Sequence, residues 1–253
     1  MSRPKELNFF IGERNWPRGI GWYEAQFAGR AAQVYGEASP DYSRHPTFEG
    51  VPARMASVLP NTKLIYMVRD PVQRLISHYV HDYAAGDENR PIDRALAGFA
   101  DNPYVWPSRY YSQLRLYLDH FPPANVLVAA AEDLHRRRPE TLSRIFQFLG
   151  VDETFYSPSY AHTRHHSKDK RRKTPAGETV ARWPVMRPLF TLLKRLPASV
   201  EWHIERALFW PLSRLVLRPR LDAALARDLR AFLRDETEQL RHFTGQPFAD
   251  WAG

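Results

Sequence analysis

The segment from Val68 to His81 carries the residues whose types and spacing best suit chemistry on an anionic group. It reads Val-Arg-Asp-Pro-x-x-Arg-x-x-Ser-x-Tyr-x-His, and the apolar run 63–68 (KLIYMV) ends directly before Arg69. Pro71 is a residue type that often begins a helix. Arg69 is therefore expected at the carboxyl end of a buried strand, where open α/β sheets bind their ligands. A guanidinium there and a hydroxyl on the next helix can together hold a phosphate.

The spacing within the predicted helix strengthens this interpretation. Arg74, Ser77 and His81 follow one another at intervals of three and four residues, so a helix places them on one stripe. The alternative is purely structural: Arg69 and Asp70 form a surface ion pair and the stripe is solvated. Spacing alone leaves both interpretations open.

Short apolar runs alternate with stretches of helical periodicity along the chain, which predicts the elements that position these residues. Strands are predicted at 32–38, 63–68 and 125–132. Helical spacing follows each of them, and further amphipathic helices are predicted, at Val51–Leu59, Val72–Tyr83, Ser108–His120, Glu140–Leu149 and Leu221–Phe243. Strands that alternate with helices indicate an α/β fold with a parallel sheet.

Length and composition bound the class of protein. The chain has 253 residues, of which 43% are hydrophobic and 25% charged, as in globular domains. The absence of Cys excludes a disulfide framework, Cys-ligated zinc or iron–sulfur sites, and thiol catalysis. Neither a signal peptide nor an apolar run of about 20 residues is found, so we expect a cytoplasmic protein. We expect one domain over 1–253, with an α/β core at 1–160 and a basic region with C-terminal helices at 161–253.

Positive charge is concentrated in one part of the sequence. The net charge is +8, and residues 161–220 hold fourteen Lys and Arg against four Asp and Glu. Such a stretch suits phosphate, sulfate or carboxylate groups, but it also suits nucleic acid or an anionic membrane. Residues 185–218 alternate apolar residues with Arg, which permits a peripheral membrane contact as well as a helical lid.

The histidines that resemble a metal cluster are His162, His165 and His166, but they have no matching distant ligand, so we expect no metal.

The Arg69 to Ser77 segment resembles the 3′-phosphate-binding motif of sulfotransferases that use 3′-phosphoadenosine 5′-phosphosulfate (PAPS). The similarity is closest to the sulfotransferase domain of heparan sulfate N-deacetylase/N-sulfotransferases and its bacterial relatives. Further motifs that resemble this family occur in the family's order, at 5–10, 19–27, 36–42, 110–114, 126–134 and 148–151. The resemblance implies a three-layer fold like that of P-loop NTPases, with helices flanking a parallel sheet. It also implies transfer of a sulfuryl group from PAPS to a hydroxyl or amine, such as that of a glycan.

The resemblance also assigns roles to individual residues. It implies that Arg69 and Ser77 bind the 3′-phosphate of PAPS. Glu37 matches the family's general base, and His81 matches a histidine near the transferred group. The remaining cofactor residues belong to a loop that closes over PAPS, and they are Lys170, Arg171 and Arg172. The alternatives are that Glu37 pairs with an Arg and that His81 is an ordinary surface histidine. No nucleic-acid partner is expected.

One family motif has no counterpart in the sequence. The 5′-phosphosulfate loop of the family is a strand, a Gly-rich turn with Lys, Gly and Thr, and a helix. The segment 9–21 lacks that core and carries Trp16 and Pro17 where backbone would approach phosphate. We expect a strand–loop–helix unit of roughly 30 residues to precede Met1, and hence weak or no turnover by the 253-residue chain. The alternative is a truncated, non-catalytic remnant that binds nucleotides or polyanions.

Overall fold

A computed structural model describes residues 1–2, 4–29, 31–161, 170–184, 186–193, 200, 204 and 207–251. The chain forms two compact units. The first unit consists of Met1–Leu75, Gly98–Pro158 and Ala223–Gly253, and the second unit consists of Ile76–Ala97 and Ser159–Asp222. The description of 1–253 as one domain stays a prediction.

The helices and strands follow the chain in this order. The α-helices are α1 (Gly19–Ala25), α2 (Val51–Val58), α3 (Pro71–Ala85), α4 (Ile92–Ala95), α5 (Tyr110–Leu118), α6 (Ala131–Arg136), α7 (Arg138–Leu149), α8 (Pro175–Arg182), α9 (Met186–Leu193) and α10 (Ala223–Thr244). The strands are β1 (Leu64–Val68), β2 (Val126–Ala130), β3 (Arg171–Lys173) and β4 (Ser213–Leu215).

A parallel strand pair organises the first unit. β1 and β2 pair in register from Leu64 opposite Val126 to Val68 opposite Ala130. Their carboxyl ends therefore meet at one edge, from which α3 and α6 continue. The predicted strands at 63–68 and 125–132 are confirmed, and so are the predicted helices, with small shifts of their ends.

Two apolar clusters hold the first unit together. One contains Leu7, Phe9, Phe10, Ile11, Tyr23, Val51, Met55 and Phe121. The other joins β1 and β2 to α5 and α10 and contains Val68, Tyr110, Leu114, Val128, Ala130, Leu240, Phe248 and Trp251. The second cluster fixes the end of β1, because Val68 is only 1% exposed. Burial of such side chains is worth about 1.5–3 kcal/mol each.

The strand predicted at 32–38 is wrong, because no strand is formed there. A strand is defined by hydrogen bonds to a neighbouring backbone, and β1 pairs only with β2 among the described residues. Val34 and Tyr35 are 40% and 50% exposed, and the ring of Tyr35 packs edge-on against Phe27, with 5.9 Å between ring centres, rather than against a neighbouring strand.

The second unit contains an antiparallel pair of strands, β3 and β4. Arg171 lies opposite Leu215, and Lys173 lies opposite Ser213. Thr174 caps the helix that follows, because its Oγ1 accepts the N–H of Gly177 at 3.2 Å.

None of the helices in the described part of the chain combines the length and apolar composition needed to cross a membrane.

Candidate functional site

Asp70 shapes the corner between β1 and α3. Its Oδ1 accepts the N–H of Gln73 at 2.8 Å, which caps the first turn of α3. Its own N–H donates to Glu132 Oε1 at 2.9 Å, and Glu132 lies in the first turn of α6. Asp70 is only 6% exposed, so a surface ion pair with Arg69 does not describe this corner.

Arg69 follows the last residue of β1, as the sequence predicts, and it is half-buried. Its backbone N–H donates to the hydroxyl of Tyr110 at 3.3 Å, and its Nη2 donates to the carbonyl of Arg74 at 3.2 Å. Burial lowers the pKa of Arg69, and the nearby Tyr110, Glu132 and Asp70 partly offset that effect. Guanidinium groups stay charged in proteins even when they are partly desolvated. Arg69 is therefore a fixed cation at the carboxyl edge of the sheet.

Arg74 is a second cation in the same region rather than a solvated member of a helix stripe. Its Nη1 lies 3.4 Å from the carbonyl of Tyr104 and 3.5 Å from Ser108 Oγ, both neutral oxygens. Burial lowers the pKa of Arg74, Tyr110 and Tyr66 partly offset that effect, and the neighbouring Arg69 adds to it. Two partly desolvated guanidinium groups in one place favour binding of an anion.

Glu37 is held by hydroxyl groups. Tyr42 Oη donates to Oε1 at 2.7 Å and Ser39 Oγ donates to Oε2 at 3.0 Å. Tyr42 in turn accepts the backbone N–H of Phe9 at 2.9 Å, which ties the carboxylate to the buried segment 7–11. Burial raises the pKa of Glu37, and the bonds from Tyr42 and Ser39 partly offset the shift. Among the described residues, the partners of Glu37 are hydroxyl and backbone groups rather than an Arg.

Glu37 and Arg69 line the same cavity of the first unit. The cavity has a volume of about 1090 Å³ and is also lined by Tyr23, Ser39 and Arg74. Ligand sites commonly enclose about 300–1,000 Å³, so this cavity is large enough for a nucleotide-sized molecule. The first unit therefore brings a carboxylate with a raised pKa and a fixed cation to one cavity.

Two cations that flank the β3–β4 strand pair contact side chains of α3. Lys170 Nζ lies 3.0 Å from His81 Nδ1, so these two predicted site residues are in contact. Arg218 Nη1 donates to Ser77 Oγ at 3.0 Å. Arg218 was missed at the sequence level, because its position depends on the pairing of β4 with a strand about 40 residues earlier. The surrounding residues, Leu-Arg-Pro-Arg, give no periodic signal.

Arg171 and Arg172 make contacts that stabilise the second unit. Arg171 Nε donates to Ser213 Oγ at 2.9 Å, and its guanidinium lies 4.1 Å from the ring centre of Trp210. Arg172 Nη1 donates to the carbonyl of Glu88 at 3.1 Å, and its guanidinium lies 4.3 Å from the ring centre of Tyr83. Their assignment to PAPS stays a prediction, and each already has a structural role.

The metal alternative rests on His162, His165 and His166, and the membrane alternative rests on residues 185–218, which include Trp202, Phe209 and Trp210. His162, His165, His166 and Trp202 lie outside the described residues. Within the described ranges, no group of His, Asp and Glu side chains is arranged to hold a metal ion. Phe209 is 3% exposed, which removes it from a membrane-facing surface, whereas Trp210 is 50% exposed.

Comparison with known proteins gives consistent matches. A family model described as "Sulfotransferase domain" matches residues 4–187. The bifunctional heparan sulfate N-deacetylase/N-sulfotransferase 2 of Bos taurus is 27% identical over 183 residues, which cover 66% of this chain and 20% of the relative. The heparan sulfate glucosamine 3-O-sulfotransferase 3B1 of Homo sapiens is 29% identical over 164 residues, which cover 60% of this chain and 41% of the relative. The chain thus spans about a fifth of the length of the first relative and about two fifths of the second.

A solved structure agrees with the sequence matches. The crystal structure of a sulfotransferase from Alicyclobacillus acidocaldarius superposes with a TM-score of 0.64 at 18% identity. The superposition covers 99% of this chain and 87% of that one. The similarity confirms the predicted α/β fold.

Proposed function

The chain belongs to the sulfotransferase domain family, and from this premise we propose that it transfers a sulfuryl group from PAPS to a hydroxyl or amine of a glycan. The observation that carries the proposal is that Glu37 and Arg69 line one cavity. A base and a fixed cation are the two groups that in-line transfer of an anionic group requires from the protein.

Glu37 acts as the general base in this proposal. The acceptor O–H or N–H gives its proton to the carboxylate while the acceptor atom forms a bond to sulfur. The bond from sulfur to the phosphate oxygen breaks, and adenosine 3′,5′-bisphosphate leaves with that electron pair. Burial raises the pKa of Glu37 towards the working pH, which makes it a better proton acceptor than an exposed carboxylate. The hydrogen bonds from Tyr42 and Ser39 orient its two oxygens.

In this proposal the cations bind PAPS, the sulfuryl donor. PAPS supplies the activated sulfuryl group, and Arg69 and Ser77 bind its 3′-phosphate by charge-assisted and hydroxyl hydrogen bonds. His81 lies near the transferred group. Lys170 contacts His81 and serves the donor with it, whereas Arg171 and Arg172 stabilise the second unit that carries Lys170. No metal is required, because the charge is met by guanidinium and ammonium groups.

An anionic glycan is the acceptor that the charge distribution supports. The second unit contains sixteen Lys and Arg against nine Asp and Glu, which gives it a net charge of +7. The relatives described above are named for heparan sulfate, a polyanion. Positive potential raises the local concentration of such a substrate.

The second candidate is a non-catalytic remnant that binds the nucleotide without turnover. The hydrogen bonds to Glu37 favour this candidate, because each carboxylate oxygen already accepts a hydrogen bond from a hydroxyl group. A carboxylate with its lone pairs engaged is a weaker base than a free one. The remnant keeps nucleotide affinity and loses transfer, so binding and activity must be measured separately.

Calorimetric titration with adenosine 3′,5′-bisphosphate tests the binding proposal. We expect binding that weakens by about tenfold or more in Arg69→Ala and in Ser77→Ala, since each loses a hydrogen bond to a charged group. Arg14→Ala is the matched control, because Arg14 is paired with Asp41 at 2.6 Å and does not line the cavity. Equal affinity in all proteins, together with steeply salt-dependent binding to DNA or anionic vesicles, would instead support a nucleic-acid or membrane binder.

A further inference from the structure

The β3–β4 strand pair of the second unit has two different faces. Residues that lie directly opposite each other in an antiparallel pair share one face, and successive residues of a strand point to opposite faces. Arg172 belongs to the inner face, because its guanidinium lies over the ring of Tyr83 of α3. Arg171 lies opposite Leu215, so these two side chains share the outer face.

The outer face of the strand pair exposes apolar side chains. Exposure alternates at the end of β4, since Leu215 is 50% exposed, Val216 is 8% exposed and Leu217 is 79% exposed. The N–H of Val216 donates to the carbonyl of Lys170 at 2.9 Å, so the strand pairing continues through Val216. Leu217 therefore extends the outer face beyond Leu215.

Trp210 joins the outer face through Arg171. The guanidinium of Arg171 lies 4.1 Å from the ring centre of Trp210, and half of the Trp210 surface is exposed. Trp is enriched at the level of lipid headgroups, because its ring is apolar and its indole N–H is polar. The outer face thus consists of Arg171, Trp210, Leu215 and Leu217.

The charge around the outer face is of one sign. Residues 170–173 and 207–220 contain seven Lys and Arg and no Asp or Glu. Arg214 and Arg220 flank the two leucines in sequence, and both are exposed. Long basic side chains can lay their apolar stems along apolar surface while the charged group stays in water or among headgroups. Exposed apolar side chains among cations match the surface of a bilayer that contains anionic lipids.

We propose that the outer face docks on an anionic lipid bilayer. Leu215 and Leu217 enter the boundary between headgroups and acyl chains, and Trp210 lies at the level of the headgroups. The surrounding cations interact with the lipid phosphates. This inference does not depend on the proposed function.

A second copy of this chain suits the outer face less well than a bilayer does. The second unit has a net charge of +7, so two copies would repel each other through this unit. Three apolar side chains also cover far less than the roughly 800 Å² per partner of a stable protein interface. A bilayer needs only a few apolar side chains, because anionic lipids add electrostatic attraction.

Vesicle sedimentation with the full chain tests the proposal. One set of vesicles contains equal parts of phosphatidylglycerol and phosphatidylcholine, and the other contains phosphatidylcholine alone. We expect binding to the first set and at least tenfold weaker binding to the second. The double variant with Leu215→Ser and Leu217→Ser should bind the anionic vesicles at least tenfold more weakly. Leu192→Ser is the matched control, because Leu192 is a 59% exposed leucine of α9 in the same unit, and it should bind normally.

Two charge variants test the electrostatic part of the interaction. Arg214→Gln and Arg220→Gln should each weaken binding to the anionic vesicles about two- to fivefold, and the difference should disappear at high salt. If these variants lose affinity while the double serine variant binds normally, the leucines do not enter the bilayer and the proposal fails. Binding to duplex DNA that is as tight as binding to the anionic vesicles would also overturn it.

Fluorescence quenching gives a readout that does not depend on the leucine variants. Anionic vesicles whose acyl chains are brominated near the headgroup should quench part of the Trp fluorescence, and Trp210→Phe should remove that part. Trp183→Phe, at a Trp that is 57% exposed, should keep it. Quenching that survives Trp210→Phe, or no binding to anionic vesicles, would contradict the proposed surface. Affinity for adenosine 3′,5′-bisphosphate is measured on the same proteins, so a protein that binds the nucleotide but no vesicle refutes this inference alone.

Discussion

The two units of this protein use positive charge in different ways. The first unit is almost neutral, with twenty Lys and Arg against nineteen Asp and Glu, whereas the second unit has a net charge of +7. In the first unit, burial lowers the pKa of Arg69 and of Arg74. In the second unit, Arg171, Arg172 and Lys173 lie over the rings of Trp210, Tyr83 and Phe209.

This difference indicates two kinds of sensitivity to substitution. A few desolvated groups in the first unit should each have a large and specific effect, because charges interact strongly in a low dielectric. The described cations of the second unit are numerous and none of them is fully buried, so each should have a small effect that salt screens. The following substitutions test that contrast.

The largest effect is expected for Glu37→Gln. The variant loses the proton acceptor but keeps the shape of the side chain, so the rate of sulfuryl transfer should fall by about 10²–10⁴-fold. Transfer is measured from radiolabelled PAPS to desulfated heparan sulfate oligosaccharides. Affinity for the bisphosphate should not change. Glu24→Gln, at another carboxylate that lines the cavity, should transfer normally, and an equal loss there would contradict the assignment.

Arg69→Ala should have the next largest effect, on binding. Loss of a hydrogen bond to a charged group costs about 1.5–3 kcal/mol, so the bisphosphate should bind more than tenfold more weakly. Arg172→Ala in the second unit should change affinity much less, and its effect should vanish at high salt. Similar losses for the two variants would mean that the two units do not differ in the way described.

Tyr42→Phe should separate positioning from proton transfer. The variant leaves the N–H of Phe9 without this acceptor and removes one of the hydroxyl donors of Glu37, which should reduce the free energy of unfolding by about 1–3 kcal/mol. Since the lost bond stabilised the ionised carboxylate, the pKa of Glu37 should rise further. The acidic limb of the pH–rate profile should move to higher pH. A loss of stability with an unshifted profile would make Tyr42 a purely structural residue.

Arg171→Ala should have a smaller effect, confined to the stability of the second unit. The guanidinium stacks on Trp210 and bonds to Ser213, and an exposed contact of this type is worth about 0.5–1 kcal/mol. Arg171→Lys should retain part of that energy. Thermal unfolding measures the loss, and the affinity for the bisphosphate should stay the same. A large loss of affinity would instead assign Arg171 to the donor site.

The smallest effect is expected in the pH dependence of stability. Burial raises the pKa of Glu37 above that of the unfolded chain, so the folded state binds more protons in the window between the two values. The contribution of Glu37 to stability is then full below the unfolded pKa of about 4.3 and is lost as pH rises through the folded value. Glu37→Gln should remove this loss in denaturant titrations at a series of pH values. An unchanged pH dependence would contradict the buried-carboxylate description.

Local patterns were sufficient to predict the framework of the site. The apolar run before Arg69 predicts β1, and the three- and four-residue intervals after Pro71 predict α3, and both elements are present. Glu37 was singled out only by resemblance to a family motif, and its place in the cavity is consistent with that motif.

Other features depend on contacts that no local pattern encodes. The segment 32–38 has the alternation of a strand, but strand formation requires a neighbouring backbone that the described residues do not supply. Arg74 shares a helical stripe with Ser77 in sequence, yet the packing of Tyr104 and Ser108 against α3 buries its charge. The place of Arg218 depends on the pairing of β4 with β3.

A crystal structure with bound adenosine 3′,5′-bisphosphate is the most direct test of the account. The account predicts the 3′-phosphate in charge-assisted contact with Arg69, at about 2.7–2.9 Å, and the 5′-phosphate in the cavity that Glu37 lines. A nucleotide bound away from both residues, or a 3′-phosphate held by other side chains, would contradict the proposed sulfuryl-transfer site.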